Sequence, residues 1–208
     1  MPTGATSLLV IFVVAGGAVD LESFLHPAPG RTYTYRFTVA REVKPTEIVA
    51  IAEGSSRSGE VRVVEIPVVR GVELPKDFIT RVPGYRLVVD SGELLRIDDD
   101  GARSILMREP VVPSNNSWTR TLKMGEPDGK RVDAVGSCRI VTVETTAVAA
   151  MGETTVVTTR CEFTGKEDET IRLIERYGVN VGTVTRRLEF FNRGELIDWN
   201  EVALVGMR

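Results

Sequence analysis

Tyr33-Thr34-Tyr35-Arg36-Phe37-Thr38-Val39 alternates large apolar and polar side chains without a break. Successive side chains of a strand point to opposite faces, so this run places Tyr33, Tyr35, Phe37 and Val39 on one sheet face and the polar groups on the other. The apolar face is expected to be buried. The same two-residue beat recurs in Tyr85, Leu87 and Val89, in Val184, Leu188 and Phe190, and in Ile197, Trp199, Ala203 and Val205. Valine, isoleucine and threonine make up more than a quarter of the chain, and branching at Cβ favours extended backbone over helix.

Turn chemistry separates these runs. Ser91-Gly92, Asp100-Gly101 and Arg193-Gly194 are polar-glycine dipeptides between apolar segments, and each predicts a hairpin because glycine supplies the positive φ of a tight turn. Longer connections are expected around Lys44-Pro45 and from Gly54 to Gly59. Only Glu73 to Thr80 and Asp168 to Tyr177 have room for a helical turn or two, and the second reads equally well as a strand with Ile171, Leu173 and Glu175 on one side. The expected fold is all-β: a single antiparallel sheet of about ten to twelve strands, curled into an open or partly closed barrel that hides its edges.

The chain has 208 residues, 42% hydrophobic and 26% charged, with 26 basic and 29 acidic residues. This composition predicts one globular β domain, 19–208, with Met124 to Gly136 as a loop rather than a domain boundary. Without excess positive charge a nucleic-acid partner is not expected. One histidine and two cysteines cannot build the usual zinc sites, so no metal or other cofactor is expected, and a histidine-relayed nucleophile would depend on His26 alone. A faint echo, His26-Pro27…Tyr33 against Glu109-Pro110…Trp118, suggests two related half-sheets.

The segment Ser7 to Val19, SLLVIFVVAGGAV, carries no charge, and Asp20 is the first charged side chain. A membrane-spanning helix needs about 20 apolar residues and a secretory apolar core only about 7 to 15. Residues 1–18 are therefore read as a signal peptide cut after Ala18, with Gly16 and Ala18 as the small pair and Ala15 and Gly17 as the alternative. The leading MPTGAT supplies no Lys or Arg. The expected product is exported, periplasmic or extracellular, with its first residue near Val19, no membrane span after cleavage and no cysteine there for a lipid anchor.

Cys138 and Cys161 flank a predicted hairpin. In an exported chain an even cysteine count favours a disulfide. A four- or six-residue loop centred between Ala149 and Ala150 would set Thr146 opposite Glu153 and Cys138 opposite Cys161. A tight turn at Met151-Gly152 would instead leave the cysteines about four residues out of register, roughly 13 Å apart, too far for a bridge without bulges.

Three segments together resemble a family of exported, β-rich bacterial envelope proteins of uncharacterised function, many of them lipoproteins. His26-Pro27-Ala28-Pro29-Gly30-Arg31-Thr32-Tyr33-Thr34-Tyr35 resembles the family's opening YPL-x-x-G-x-x-W-x-Y, with a second copy of the idea from Glu109-Pro110 to Ser117-Trp118. The segment from Cys138 to Cys161 is similar to its Cys-flanked PAG hairpin, with Ala149-Ala150-Met151-Gly152 at the turn. Tyr177-Gly178-Val179-Asn180-Val181-Gly182-Thr183-Val184 is similar to its YAPGVGLV motif. The prolines of both later motifs are missing here. The resemblance implies a secreted antiparallel sheet curled towards a barrel and no catalytic residue.

Candidate chemistry is sparse. Asp98-Asp99-Asp100-Gly101 invites a calcium loop, but an EF-hand with Gly101 at its sixth position would need acids where Arg96 and Met107 stand; a solvated hairpin tip fits better. His26 beside Pro27 reads as a surface histidine. Glu93, Glu126, Asp128, Glu167, Asp168 and Glu169 offer carboxylates, yet nothing pairs them as a glycosidase would require. Asn115-Asn116-Ser117 matches a glycosylation sequon and reads as a polar loop. Tyr33, Tyr35, Phe37, Trp118, Phe190, Phe191 and Trp199 are aromatic enough either to fill the core or, for Tyr33, Tyr35, Phe37, Trp118, Phe190 and Trp199, to line a cavity for a lipid-like molecule. The expected function is that of a non-enzymatic envelope scaffold binding an envelope protein or an apolar ligand. The alternatives are a carboxylate-dependent hydrolase and a purely structural interaction module.

Overall fold

Twelve antiparallel strands follow one another around a single sheet in the computed structural model, which describes residues 19–25, 31–40, 46–54, 60–67, 84–113, 117–125, 131–149, 151–165 and 168–208. After a short 3-10 turn, η1 (Leu21–Phe24), they are β1 (Thr32–Val39), β2 (Thr46–Gly54), β3 (Glu60–Pro67), β4 (Gly84–Asp90), β5 (Glu93–Asp98) and β6 (Arg103–Arg108). The second half comprises β7 (Ser117–Gly125), β8 (Arg131–Val148), β9 (Gly152–Thr164), β10 (Glu169–Gly178), β11 (Gly182–Asn192) and β12 (Glu195–Met207). The order across the sheet is β6-β5-β4-β3-β2-β1-β12-β11-β10-β9-β8-β7. Every neighbour is consecutive in sequence except β1 and β12, which pair with each other. The sheet thus curls until its edges β6 and β7 face each other across a seam that no backbone ladder closes. Among the described residues one side-chain hydrogen bond crosses it: Trp118 Nε1 donates to the Ile105 carbonyl at 3.0 Å.

Parity decides what faces inwards. On β1, Tyr33 is fully buried and Tyr35, at 6% exposure, sends its hydroxyl across to donate to the Thr183 carbonyl at 3.0 Å. Tyr85 and Leu87 on β4, Ile171 and Leu173 on β10 and Val184 on β11 complete the expected inward sets. The outward positions of the later strands carry ion pairs instead, among them Arg172 with Glu189 at 3.3 Å, Arg176 with Glu144 at 3.3 Å and Arg187 with Glu201 at 3.6 Å. A lipid-facing barrel has the opposite arrangement, apolar outside.

The three predicted hairpins form. Ser91 and Gly92 have φ of 52° and 75°, and Arg193 and Gly194 have 49° and 82°, the paired positive values of a two-residue turn; Gly101, at 83°, ends the three-residue turn after Asp98. The Asp168 to Tyr177 segment is strand, with Ile171, Leu173, Glu175 and Tyr177 buried. The expected loop from Met124 to Gly136 is shorter than read, because strand resumes at Arg131.

One end of the curl is plugged. Asp20 caps η1, its Oδ1 accepting from the Glu22 amide at 3.0 Å, and Leu21 and Phe24 are 0% and 1% exposed. The Asn180 amide, in the β10–β11 turn, donates to the Ser23 carbonyl at 2.8 Å and holds the plug in place.

Cys138 lies directly opposite Cys161 and the sulfurs are bonded, with Cα atoms 3.9 Å apart. Neither register considered from sequence is the one found. The hairpin turn is tight, pairing Val148 with Gly152, and Thr142 still faces Thr158, one residue away from the spacing the bridge needs. A bulge between Ile140 and Thr142 absorbs that residue, since Ile140 faces Thr159. Val141, the extra residue, is 39% exposed.

The proposed signal peptide 1–18, His26, the 44–45 connection, the possible helical turn 73–80, Asn115, Asn116, Glu126, Asp128 and Glu167 lie outside the described residues, as do 55–59 of the glycine-serine connection.

Two stability measurements follow from this arrangement. Replacing both cysteines by serine should cost about 3 kcal/mol on the loop-entropy estimate, and for a chain of this size lower the melting temperature in scanning calorimetry by roughly 6–12 °C. Trp118→Phe removes the cross-seam donor and shrinks a buried ring, so it should cost at least about 1 kcal/mol and speed amide hydrogen exchange in β6 more than in β10; equal exchange in both strands would show that the seam bond does not hold the edge.

Candidate functional site

The period-two pattern has interruptions, and they converge on one place. Arg186 occupies an inward position of β11 between Val184 and Leu188, Glu175 one of β10 between Leu173 and Tyr177, and Arg120 one of β7 between Trp118 and Leu122. Glu175 and Arg186 are directly opposite each other in the ladder. The Arg186 Nε donates to Glu175 Oε1 at 3.0 Å, and Arg120 Nη1, from two strands beyond β9, donates to Oε2.

Glu175 is fully buried and the Arg120 side chain is 7% exposed. Arg186 keeps 27% of its side chain exposed; because it points inwards, that surface faces a cavity. Burial alone would raise the Glu175 pKa, but the coulombic pull of Arg120 and then Arg186, with the Arg120 hydrogen bond, outweighs it and holds the carboxyl down at about 2. Arg186 is shifted up: burial opposes its charge, and Glu175 and then Glu65 more than offset this. The Tyr177 hydroxyl is also buried beside Glu175, meets no acceptor in standard hydrogen-bond geometry, and is pushed up first by burial and then by that carboxylate.

Above this triad, towards the end carrying the 99–101 and 193–194 turns, lies a cavity of about 460 Å³, within the range of roughly 300–1,000 Å³ typical of small-molecule sites. Three arginines on inward positions line it, Arg96, Arg120 and Arg186, together with Asp98, and the exposed residues Arg103 and Asp133 border it. Leu122, Leu173 and Leu188 supply its apolar wall. Arg96 Nε donates to Asp98 Oδ1 at 2.8 Å, and its guanidinium lies 3.9 Å from the centre of the Tyr85 ring. A second space of about 450 Å³ runs along the seam and shares Arg103, Ser104, Arg120 and Thr121 with the first.

The six aromatic residues singled out from sequence lie elsewhere. Tyr33 and Tyr35 pack in the core, Trp118 packs at the seam, and Phe37 and Phe190 are partly buried on inward positions. Trp199 faces outwards, its ring 4.5 Å from the Arg187 guanidinium. The reading of β12 is corrected with it: Ile197 and Val205 are 50% and 36% exposed, while Asn200 faces the cavity and Leu204 the core. This strand turns polar side chains inwards because the space it borders there is polar, which inverts the alternation test.

The acidic hairpin tip has its own partners. Asp99 accepts from the Gly84 amide at 2.7 Å and Asp100 from the Ala102 amide at 2.9 Å. Glu93 pairs with Arg108. Among the described residues no group of three or more metal-ligating side chains occurs.

No protein-family model matches the chain, and no curated protein matches it. A solved structure from Parabacteroides distasonis, described as a candidate lipoprotein, is similar in fold, with a TM-score of 0.54 and 13% sequence identity over 89% of this chain and 98% of that one. At that identity the likeness shows the fold alone: the curled antiparallel sheet is an architecture that a very different sequence also adopts.

Glu175→Gln leaves two buried guanidinium groups without their carboxylate, and should cost about 3–5 kcal/mol in urea unfolding; Glu162→Gln, in an exposed outer pair, should cost at most about 1 kcal/mol. A carboxyl held at about 2, against 4.5 when unfolded, binds its proton more tightly in the unfolded chain. Its contribution is thus complete above about pH 4.5 and is lost as pH falls through about 2. Over that window the wild type should lose stability more steeply than Glu175→Gln.

Proposed function

We propose that this protein is an exported, non-enzymatic component of the bacterial cell envelope that holds a small molecule in the cup that its sheet forms at the end opposite the η1 plug. The observation that carries the reading is the cavity of about 460 Å³ above the buried triad. A purely structural module has no use for inward-facing charges: well-packed apolar residues would stabilise such an interior as well or better.

Export is supported by the Cys138–Cys161 disulfide, since such bonds persist in oxidising compartments, by the uncharged segment from Ser7 to Val19, and by the description of the similar Parabacteroides distasonis protein as a candidate lipoprotein. The charged lining favours a ligand with a polar group over a wholly apolar one. Binding rather than hydrolysis is supported by how the carboxylates are used. Glu175, held at about 2, carries no proton to donate at neutral pH, and both its oxygens are occupied; Asp98 is committed to Arg96.

Native mass spectrometry of the protein purified from the envelope of its own host tests this. A fraction heavier than the polypeptide, whose extra mass is released on denaturation, is the expected result. A single species at the mass of the bare chain would overturn the ligand-binding reading in favour of a structural module.

A further inference from the structure

We infer that the floor of the cup binds an oxyanion, a carboxylate or phosphate group, through Arg120 and Arg186, with Arg103 at the mouth; this rests on the ligand-binding reading above. The arginine pair is under-used by the protein itself. Two guanidinium groups share the single carboxylate of Glu175, so the triad carries one net positive charge in a place shielded from water. Arg120 Nε is buried and has no acceptor, although its residue lines both the cavity and the seam space. Arg103, exposed on β6, borders both spaces.

Leaving a buried donor unpaired is costly, and a buried charge more so. A bound oxyanion would supply the missing acceptors, and the planar fork of arginine suits the paired oxygens of carboxylate and phosphate. Opposing charges are present too. Asp133 is on the wall, and Glu65 acts on Arg186 while accepting from the Tyr85 hydroxyl at 3.1 Å. They limit the site to a small anionic group rather than a highly charged one. Leu122, Leu173 and Leu188 offer an apolar surface next to the arginines, where the carbon chain of an amphiphile would lie. The same headgroup chemistry is found in a free anion and in a lipid-like molecule, and the two are separable by experiment.

Calorimetric titration of the full chain with octanoate, octyl phosphate, inorganic phosphate and neutral octanamide tests the inference. Octanoate and octyl phosphate should bind at one site, at least about tenfold more tightly than octanamide, as expected for loss of a charge-assisted hydrogen bond. Inorganic phosphate matching octyl phosphate would identify a free anion as the ligand, and a clear preference for octyl phosphate an amphiphile. Arg120→Gln keeps a one-to-one Glu175–Arg186 pair and should weaken anion binding about tenfold. Arg103→Gln, at an exposed position, gives the same comparison if Arg120→Gln does not fold. Octanamide binding as tightly as octanoate, or unchanged anion affinity in the variants, would sink the oxyanion assignment and leave the cup as a binding site for neutral molecules. A neutral adduct on the host-purified protein with no anion binding would do the same. Silence from all four probes together with a bare host-purified chain would remove both readings.

Discussion

The dry carboxylate of Glu175 is the constraint around which the interior is organised. It is fully buried, and it stays charged only because Arg186 faces it across the neighbouring strand and Arg120 reaches it from β7. Two strands, β8 and β9, intervene between Arg120 and Glu175, so that contact is possible only in a sheet curled tightly enough to bring β7 over β10. The triad also divides the interior. On one side lie the apolar plug of Leu21 and Phe24 and the core tyrosine Tyr33; on the other lies the cavity, with arginines in its lining.

The disulfide sits next to this boundary for a reason visible in the ladder. Trp118, Cys138, Cys161 and Leu173 are successive partners across β7, β8, β9 and β10, all on inward positions. The bridge therefore fixes the strand beside β7, and β7 carries both the seam tryptophan and Arg120. Two positions along β8 from Cys138, Gly136 faces Arg120 and Phe163. A Cβ there would collide with the Phe163 ring and with the Glu162 carbonyl, so a bare backbone is what lets that ring approach β8 so closely.

Much of the fold is legible in the sequence because it depends on local chemistry. Tyr33 to Val39 reads correctly as a strand with its aromatic side inwards, and Ser91-Gly92 and Arg193-Gly194 read correctly as turns, since each needs only side-chain alternation or a positive φ. The site is much less legible. Glu175 falls with Ile171 and Leu173 on one side in the sequence reading, but Arg120 and Arg186 are charged residues at core parity too, and a reading that asks only where the apolar side chains fall passes over them. The signal was present: Trp118-x-Arg120-x-Leu122 and Val184-x-Arg186-x-Leu188 each break an apolar face once, with a cation. What no single strand reveals is that the breaks meet, because that depends on curl and register between strands far apart in sequence. Trp199 is the converse case. On a strand bordering polar space its ring lies outside on Arg187, and hydrophobicity points the wrong way. The bulge at Val141 is similar, for a tight turn and a bonded cysteine pair are incompatible until one residue is taken out of the ladder.

The seam between β6 and β7 alters the mechanics of the molecule. In a fully hydrogen-bonded barrel, strand number and stagger together fix the radius, and the wall can change girth only by breaking a whole ladder. Here the last gap is spanned by an indole and a carbonyl. A change of circumference here would need only that gap to widen or narrow, with the other ladders intact. A wall of this kind can change its girth by yielding along one line instead of deforming all round.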